Sequence, residues 1–447
     1  MMVNAILILS SYSILVFFVV IMTMSREVIA SRNAVYLYAV LLGLVAITAS
    51  YDTFNISNID VVDLNGSDGE GYYYQAVDIS RGILTDVIFE IRSNYIGYQL
   101  VLGVFFKIFG AHLLLGLLLN AFFQVLTVIF SYKFVLLSVK NQRAAHLTVI
   151  FIIAYTPYVF FTAVLLKEPF LNFGVAMVAY AFALINESSR IKATAVCCLV
   201  LSFFIFASMR APLLVLLPVC ALVLVAKNNY IKFGITGLSL IALYLSWNTI
   251  SSLSTLDLTA SGFVDQLISS NFTDYVKDQK VNKEGLVLSL LGDYDNWSVA
   301  KKIFALPITI GFQYLLPITF WDFSQAIEFL PALFGSNLIV FWLFGLGPLY
   351  IFVSINIFRV GDEFIRRLFL IGLSMFAVSA YTHGGMIPRY ASPFLIFLLP
   401  ASSAIVTQCY YNSETNRRVK MFFIKYYFIC LIFGLAFLML KIKNNFL

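Results

Sequence analysis

Long uninterrupted runs of hydrocarbon side chains, separated by short polar or basic turns, recur along nearly the whole chain of 447 residues. The runs show neither the two-residue alternation of a half-buried strand nor the one-sided stripe of a surface helix. Segments apolar on every side, and this long, belong in a bilayer, where only a helix satisfies its own backbone polar groups. The pattern predicts an all-α, polytopic integral membrane protein, with 1–447 as a single transmembrane domain. Spans are predicted near 5–24, 34–50, 114–137, 147–166, 170–185, 193–207, 212–226, 233–247, 336–357, 368–381, 391–406 and 426–440, about 12 helices in all.

Two apolar stretches do not fit this scheme. Tyr95 to Phe109 is short, contains Lys107 and ends at Gly110, as a half-inserted or surface helix leading into the next span would. The segment 303–321 holds Pro307 and Pro317, which break a straight helix. It is predicted to be re-entrant or interfacial.

Composition sharpens the class. The chain is 61% hydrophobic and 12% charged, with 44 Phe and 25 Tyr, far from a soluble domain. A net charge of +6 spread between apolar runs does not point to nucleic acid. Its placement matters instead. One set of turns, from Arg26 to Lys425, collects 16 of the 29 bases and five of the 23 acids. By the positive-inside rule that face is cytoplasmic, and the long connections 51–93 and 248–302 face outward. The N-terminal run lacks the basic lead and small-residue cleavage site of a signal peptide, so an uncleaved first span is expected. Cys197, Cys198, Cys220, Cys409 and Cys430 fall in or beside apolar runs and read as small core residues, without disulfides.

Candidate chemistry concentrates on the outward face. The first outer loop, 51–93, holds eight acids and two bases, centred on Ser67-Asp68-Gly69-Glu70-Gly71-Tyr72-Tyr73-Tyr74. A general base needs a carboxylate within reach of the acceptor hydroxyl in a partly dry site; Asp68 and Glu70 are the candidates, with Tyr73 beside them. In an extended segment the two acids point the same way. If a helix starts here, Tyr73, Tyr74 and Asp78 fall near one face. Three further positions suit a phosphate or sugar: Lys167-Glu168-Pro169, Arg210, and His383 with Arg389-Tyr390. The first has a plainer reading as an ordinary turn with a snorkelling lysine, Arg210 as a base snorkelling at the interface, and a lone His383 as a polar loop residue. The second outer loop, 248–302, holds seven acids and suits a lid over the site. No Walker motif, GxSxG, HExxH, CxxC or dinucleotide fingerprint is present.

The order of these pieces resembles the C-type (GT-C) glycosyltransferases, in the branch similar to protein mannosyltransferases and lipid A aminoarabinose transferases. The resemblance rests on Asp68-Gly-Glu70-Gly-Tyr72 through Ala76, on Tyr95 through Gly110, and on the basic turn Lys140-Asn-Gln-Arg143. It continues in Tyr155-Thr-Pro157-Tyr158 through Pro169 and in Arg389-Tyr390-Ala-Ser-Pro393. It departs at Ser93-Asn94-Tyr95, at Lys167-Glu168 and in an added N-terminal span. The similar-looking repeat-unit polymerases of O-antigen and capsule share much of this pattern. The resemblance implies a polyprenyl-phosphate-linked sugar or oligosaccharide donor, a glycan acceptor and inversion at the transferred sugar. The setting it implies is the bacterial inner membrane, with the site facing the periplasm or cell exterior. No cofactor is required, although Mg or Mn is compatible with the chemistry. A polymerase would add a chain-length regulator as partner. A lipid-linked oligosaccharide flippase or transporter is a third expectation, disfavoured by the lack of internally repeated halves.

Overall fold

The computed structural model describes residues 2–24, 29–55, 68–83, 96–155, 158–159, 162, 165–187, 192–224, 237, 352–353, 356–357, 361–382, 388–410, 417–418, 420–422, 424–426 and 428. Among the described residues every regular element is helical. Four helical stretches among the described residues are long and apolar enough to cross a membrane: Ile29–Ser50, Leu113–Val139, Glu168–Glu187 and Ser392–Cys409. The predicted spans 233–247, 336–357 and 426–440 lie largely or wholly outside the described residues, as do the loop 248–302, the segment 303–321, Cys430 and His383.

In chain order the helices are α1 (Met2–Thr23), α2 (Ile29–Asn55), α3 (Asp68–Ser80), α4 (Gly97–Phe109), α5 (Leu113–Val139) and α6 (Gln142–Ala154). They continue with α7 (Glu168–Glu187), α8 (Ala193–Met209), a 3-10 turn at Ala211–Val215 running into α9 (Leu216–Leu224), α10 (Glu363–Thr382) and α11 (Pro388–Tyr410). Helix α7 is the hub, packed by α5, α8, α9 and α11. Of its most apolar window 94% is buried, against 50% for α2 at the periphery. Small residues let its neighbours approach, since lipid offers no hydrophobic drive between helices. A Cβ on Gly174 would come within 2.8 Å of the Phe206 ring of α8. Gly372 of α10 likewise lies where a Cβ would meet Leu398 of α11 at 2.6 Å.

Local chemistry sets several boundaries. His112 caps α5, its Nδ1 accepting from the Leu114 N–H at 3.3 Å. Lys140 takes the left-handed backbone (φ 53°) that ends α5, and Asn141 Oδ1 then accepts from the N–H groups of Arg143 (2.9 Å) and Ala144 (3.1 Å) to start α6. A turn this short makes α5 and α6 an antiparallel hairpin. The single span predicted over 147–166 is not continuous. Helix α6 stops at Ala154, where Tyr155 is extended (φ −77°, ψ 99°), two residues ahead of Pro157. Proline removes a backbone donor and restricts the residue before it, so a break nearby is expected.

Contacts sort the helix ends into two groups. At one end Ser31 of α2 meets His146 Nδ1 of α6 at 2.9 Å. There too Asn186 of α7 donates to the Leu224 carbonyl that ends α9, and Arg367 of α10 donates to the Val223 carbonyl at 3.4 Å. This end carries Arg32, Lys140, Arg143, Lys192, Arg366 and Arg367, the basic turns of the charge pattern. The opposite end gathers α3, α4 and the starts of α5, α7 and α11. Cys198, Cys220 and Cys409 are buried as small core residues, while Cys197 is exposed.

Candidate functional site

The first outer loop is partly helical. Asp68, Gly69 and Glu70 form the first turn of α3, where the unpaired N–H groups and the helix dipole favour negative charge. For Asp68 and Glu70 the backbone position is described and the side chain lies outside that description. The two acids therefore occupy helical rather than extended positions. Positions two apart on an α-helix are separated by about 200° and do not share a face. Position 68 is four before Tyr72, on the face continued by Ala76. Position 70 leads instead to Tyr73 and Tyr74.

The Tyr72 face is the one that packs inward. Tyr72 and Ala76 are buried, and a Cβ on Gly103 of α4 would meet Ile79 at 2.5 Å and the Ala76 carbonyl oxygen at 3.1 Å. Gln99 of α4 donates to Gln75 Oε1 across the same interface at 3.2 Å. Helix α4 leaves Val101, Val104, Ile108 and Phe109 exposed on its other side. Its start is clamped to the end of α8, because a Cβ on Gly97 would run into the Ser208 side chain and lie 2.9 Å from the Ser208 backbone. Tyr73 is half-buried, its ring set edge-on to Phe106 of α4 at 5.7 Å. Burial raises its hydroxyl pKa, with Tyr74 adding to the shift. It is a neutral donor at physiological pH.

Against this helical pair lies the start of α7. Lys167 precedes it, Glu168 is its first residue and Pro169 its second, a favourable place for proline because that N–H has no helical partner. The turn itself is ordinary, as its plainer reading holds. What that reading misses is where the side chains go. The Lys167 ammonium stands 5.9 Å from the centre of the Tyr72 ring of α3. Glu168 turns inward, only 2% exposed, and accepts a hydrogen bond from an Arg210 terminal nitrogen at 3.2 Å, the arginine being 14% exposed. Arg210 lies at the break between α8 and the 3-10 turn, its backbone non-helical (φ −160°, ψ 80°). Pro212 in the turn cannot donate into a continuing ladder. The break is what swings Arg210 onto the N-terminus of α7.

A layer of buried polar groups backs the cluster. The Tyr98 hydroxyl donates to Asn120 Oδ1 at 3.0 Å, and Asn120 Nδ2 donates to the Leu166 carbonyl at 2.9 Å, fixing the residue just before Lys167. Tyr98 sets its ring edge-on to Tyr72 (5.2 Å) and Phe170 (5.5 Å). One turn into α7, Asn172 Oδ1 accepts from Ser392 of α11 at 3.3 Å, and the Ser392 carbonyl accepts from the Tyr158 hydroxyl at 2.8 Å. These bonds place the first turn of α11 beside the first turn of α7. Arg389 and Tyr390 belong to that turn, with backbone described and side chains outside the description.

The predicted residues thus divide plainly. Lys167, Glu168 and Arg210 form one cluster, α3 with Tyr73 and the positions of Asp68 and Glu70 adjoins it, and Arg389-Tyr390 begins the neighbouring helix. Sequence reasoning missed Tyr98, Asn120, Asn172 and Ser392. A usable signal was present, since Asn120 and Asn172 are amides inside otherwise apolar runs. It also missed the Glu168–Arg210 pair, although a helical hairpin turning near residue 190 brings both to the same height. Among the described residues no three His, Cys, Asp or Glu side chains converge as metal ligands. No protein-family model and no curated protein matches the chain.

Proposed function

We propose that the protein is a membrane glycosyltransferase that moves a sugar from a polyprenyl-phosphate-linked donor onto a cell-surface glycan or lipid-linked acceptor. The reaction takes place at the outer face of a bacterial inner membrane. One observation supports this reading: Lys167 stands over Tyr72, which sets the acidic helix α3 beside the Lys167–Glu168–Arg210 cluster. In the reaction an acceptor hydroxyl oxygen bonds to the anomeric carbon as the bond from that carbon to the phosphate oxygen breaks. The hydroxyl proton passes to a carboxylate, and the lipid phosphate leaves with an added negative charge. Lys167 and Arg210, with Arg389 from the adjoining helix start, stabilise that growing charge, the kind of interaction that lowers a transfer barrier most. Asp68 is the better base, because its position shares a helix face with Tyr72, whose ring Lys167 covers, whereas that of Glu70 does not. A divalent cation, if one is used, would be held by the carboxylate of Asp68 or Glu70 and would supply charge neutralisation at the leaving phosphate; the proposed reaction does not require it.

Gene deletion followed by analysis of surface glycan tests the reading. A transferase leaves a glycan lacking one sugar per repeat. Single capped units in place of long chains indicate a repeat-unit polymerase, and undecorated lipid-linked units on the cytoplasmic face indicate a flippase. For the base, Asp68→Asn is expected to lower glycan assembly by about 100-fold or more at equal expression, in the range of general base loss. Glu70→Gln is expected to have a smaller effect. Full activity in both variants would remove the acidic helix from the mechanism.

A further inference from the structure

Glu168 is more than a counter-ion. Its side chain is 2% exposed, and only Oε1 is used by Arg210. Among the described residues no donor reaches Oε2, which is closed from solvent. A buried carboxylate oxygen with no hydrogen bond is costly to keep, and native proteins rarely keep one without a use. Replacing a buried ion pair by apolar residues often leaves stability unchanged or better, so packing alone does not explain this glutamate. Its chemistry narrows what Oε2 can take. An ionised carboxylate accepts hydrogen bonds and donates none, and it repels a phosphate oxygen. The partner must bring an O–H or N–H donor.

We propose that Glu168 reads a hydroxyl of the sugar carried by the lipid-linked substrate, Oε2 accepting the O–H while Lys167 and Arg210 face the phosphate. This rests on the transferase reading above and divides its cluster into a sugar-reading side and a phosphate side. Arg210 makes the division workable. It neutralises Glu168 and holds Oε1, which leaves Oε2 as the remaining acceptor. The pair meets solvent on the arginine side, 14% exposed, and a substrate arriving there contacts the guanidinium first.

The test uses the full chain in lipid nanodiscs and in cells lacking the native gene. The first measurement is equilibrium binding of a bare polyprenyl phosphate, which has no sugar to read. The second is surface glycan in complemented cells, with folding followed by size exclusion and the unfolding midpoint. For Glu168→Gln, binding of the bare lipid phosphate is expected to stay within about twofold, while glycan assembly falls on the order of tenfold or more, as losing one charged hydrogen bond implies. Arg210→Lys is expected to weaken both. If Glu168→Gln unfolds, Glu168→Asp keeps the charge but draws the carboxylate back by one methylene, and the same split is expected. Wild-type glycan in the folded Glu168 variant overturns the proposal. So does a loss of lipid-phosphate binding equal to that of Arg210→Lys, because the glutamate would then serve only to poise the arginine. Failure of the transferase reading looks different: deletion leaves the glycan unchanged and the wild-type chain does not bind polyprenyl phosphate, which overturns both.

Discussion

Helix α7 carries a glutamate at each end, and each is paired with a base on or beside α8. At its N-terminal end Glu168 and Arg210 are 3.2 Å apart and nearly enclosed, 2% and 14% exposed. At the basic end Glu187 and Lys192 are 3.4 Å apart and open, 38% and 47% exposed. The dipoles separate them further. Glu168 lies at the N-terminus of α7, where a negative charge is favoured, whereas Glu187 lies at its C-terminus and Lys192 at the N-cap of α8, both on the unfavourable side. The exposed pair tolerates that placement because water screens both charges. The enclosed pair is not screened in this way. Its burial must be matched by geometry, and its retention fits a role in binding.

Breaking each pair in turn measures that difference. Arg210→Ala strands a buried carboxylate and is expected to lower stability by about 3–5 kcal/mol, as for other buried pairs cut on one side. Lys192→Ala is expected to cost about 0–1 kcal/mol. Unfolding midpoints of the two variants in the same detergent compare them, and equal shifts would undo the contrast between the two ends. The double variant Glu168→Met with Arg210→Met is expected to recover most of the stability lost in Arg210→Ala while losing glycan assembly. Stability and function would then separate at this pair.

Two glycines sharpen the comparison at the next level. Gly97 clamps α4 to α8 one turn from Arg210, and a Cβ there would press on the Ser208 backbone at 2.9 Å. Gly97→Ala is expected to cost about 1–3 kcal/mol by overpacking and to lower glycan assembly with it, since the end of α8 carries Arg210. Gly71, in the acidic turn of α3, is open by contrast, and a Cβ added there would meet nothing within 4 Å. Gly71→Ala is expected to stabilise α3 by about 0.5–1 kcal/mol through helix propensity. A destabilised Gly71→Ala variant would mean that α3 needs the glycine for something other than its helix.

Much of this is legible in the chain, for reasons that differ from residue to residue. The spans in α2, α5, α7 and α11 announce themselves because continuous hydrocarbon has one stable backbone solution in lipid. The turn Lys140-Asn141 is visible because asparagine caps the next helix. The break at Tyr155 is hidden because the apolar run continues past it, and only Pro157 hints at it. The acidic loop is located by its charge, but its helix is one of two backbones the residues allow, and that choice decides whether Asp68 and Glu70 act together. Burial of Glu168 is not readable at all. A Lys-Glu-Pro turn looks the same whether its carboxylate faces water or an arginine 42 residues away, and only the packing of α8 onto α7 selects between them.

The smallest expected effect lies at the junction of α4 and α5, where a titratable group does a backbone job. His112 Nδ1 accepts the Leu114 N–H only while that nitrogen is unprotonated. Much of the ring is exposed, but desolvation of the side facing α5 lowers its pKa from the usual 6.5. The folded protein therefore binds this proton less readily than the unfolded chain. The cap's contribution is complete above about pH 6.5 and is lost as pH falls through the lower folded value. The wild-type unfolding midpoint should drop slightly relative to His112→Asn as pH is lowered from about 7.5 to about 5.5, because asparagine caps without titrating. The difference is expected to stay below about 1 kcal/mol, the usual worth of one cap. Parallel pH profiles for the two proteins would show that the α5 cap does not depend on the charge of His112.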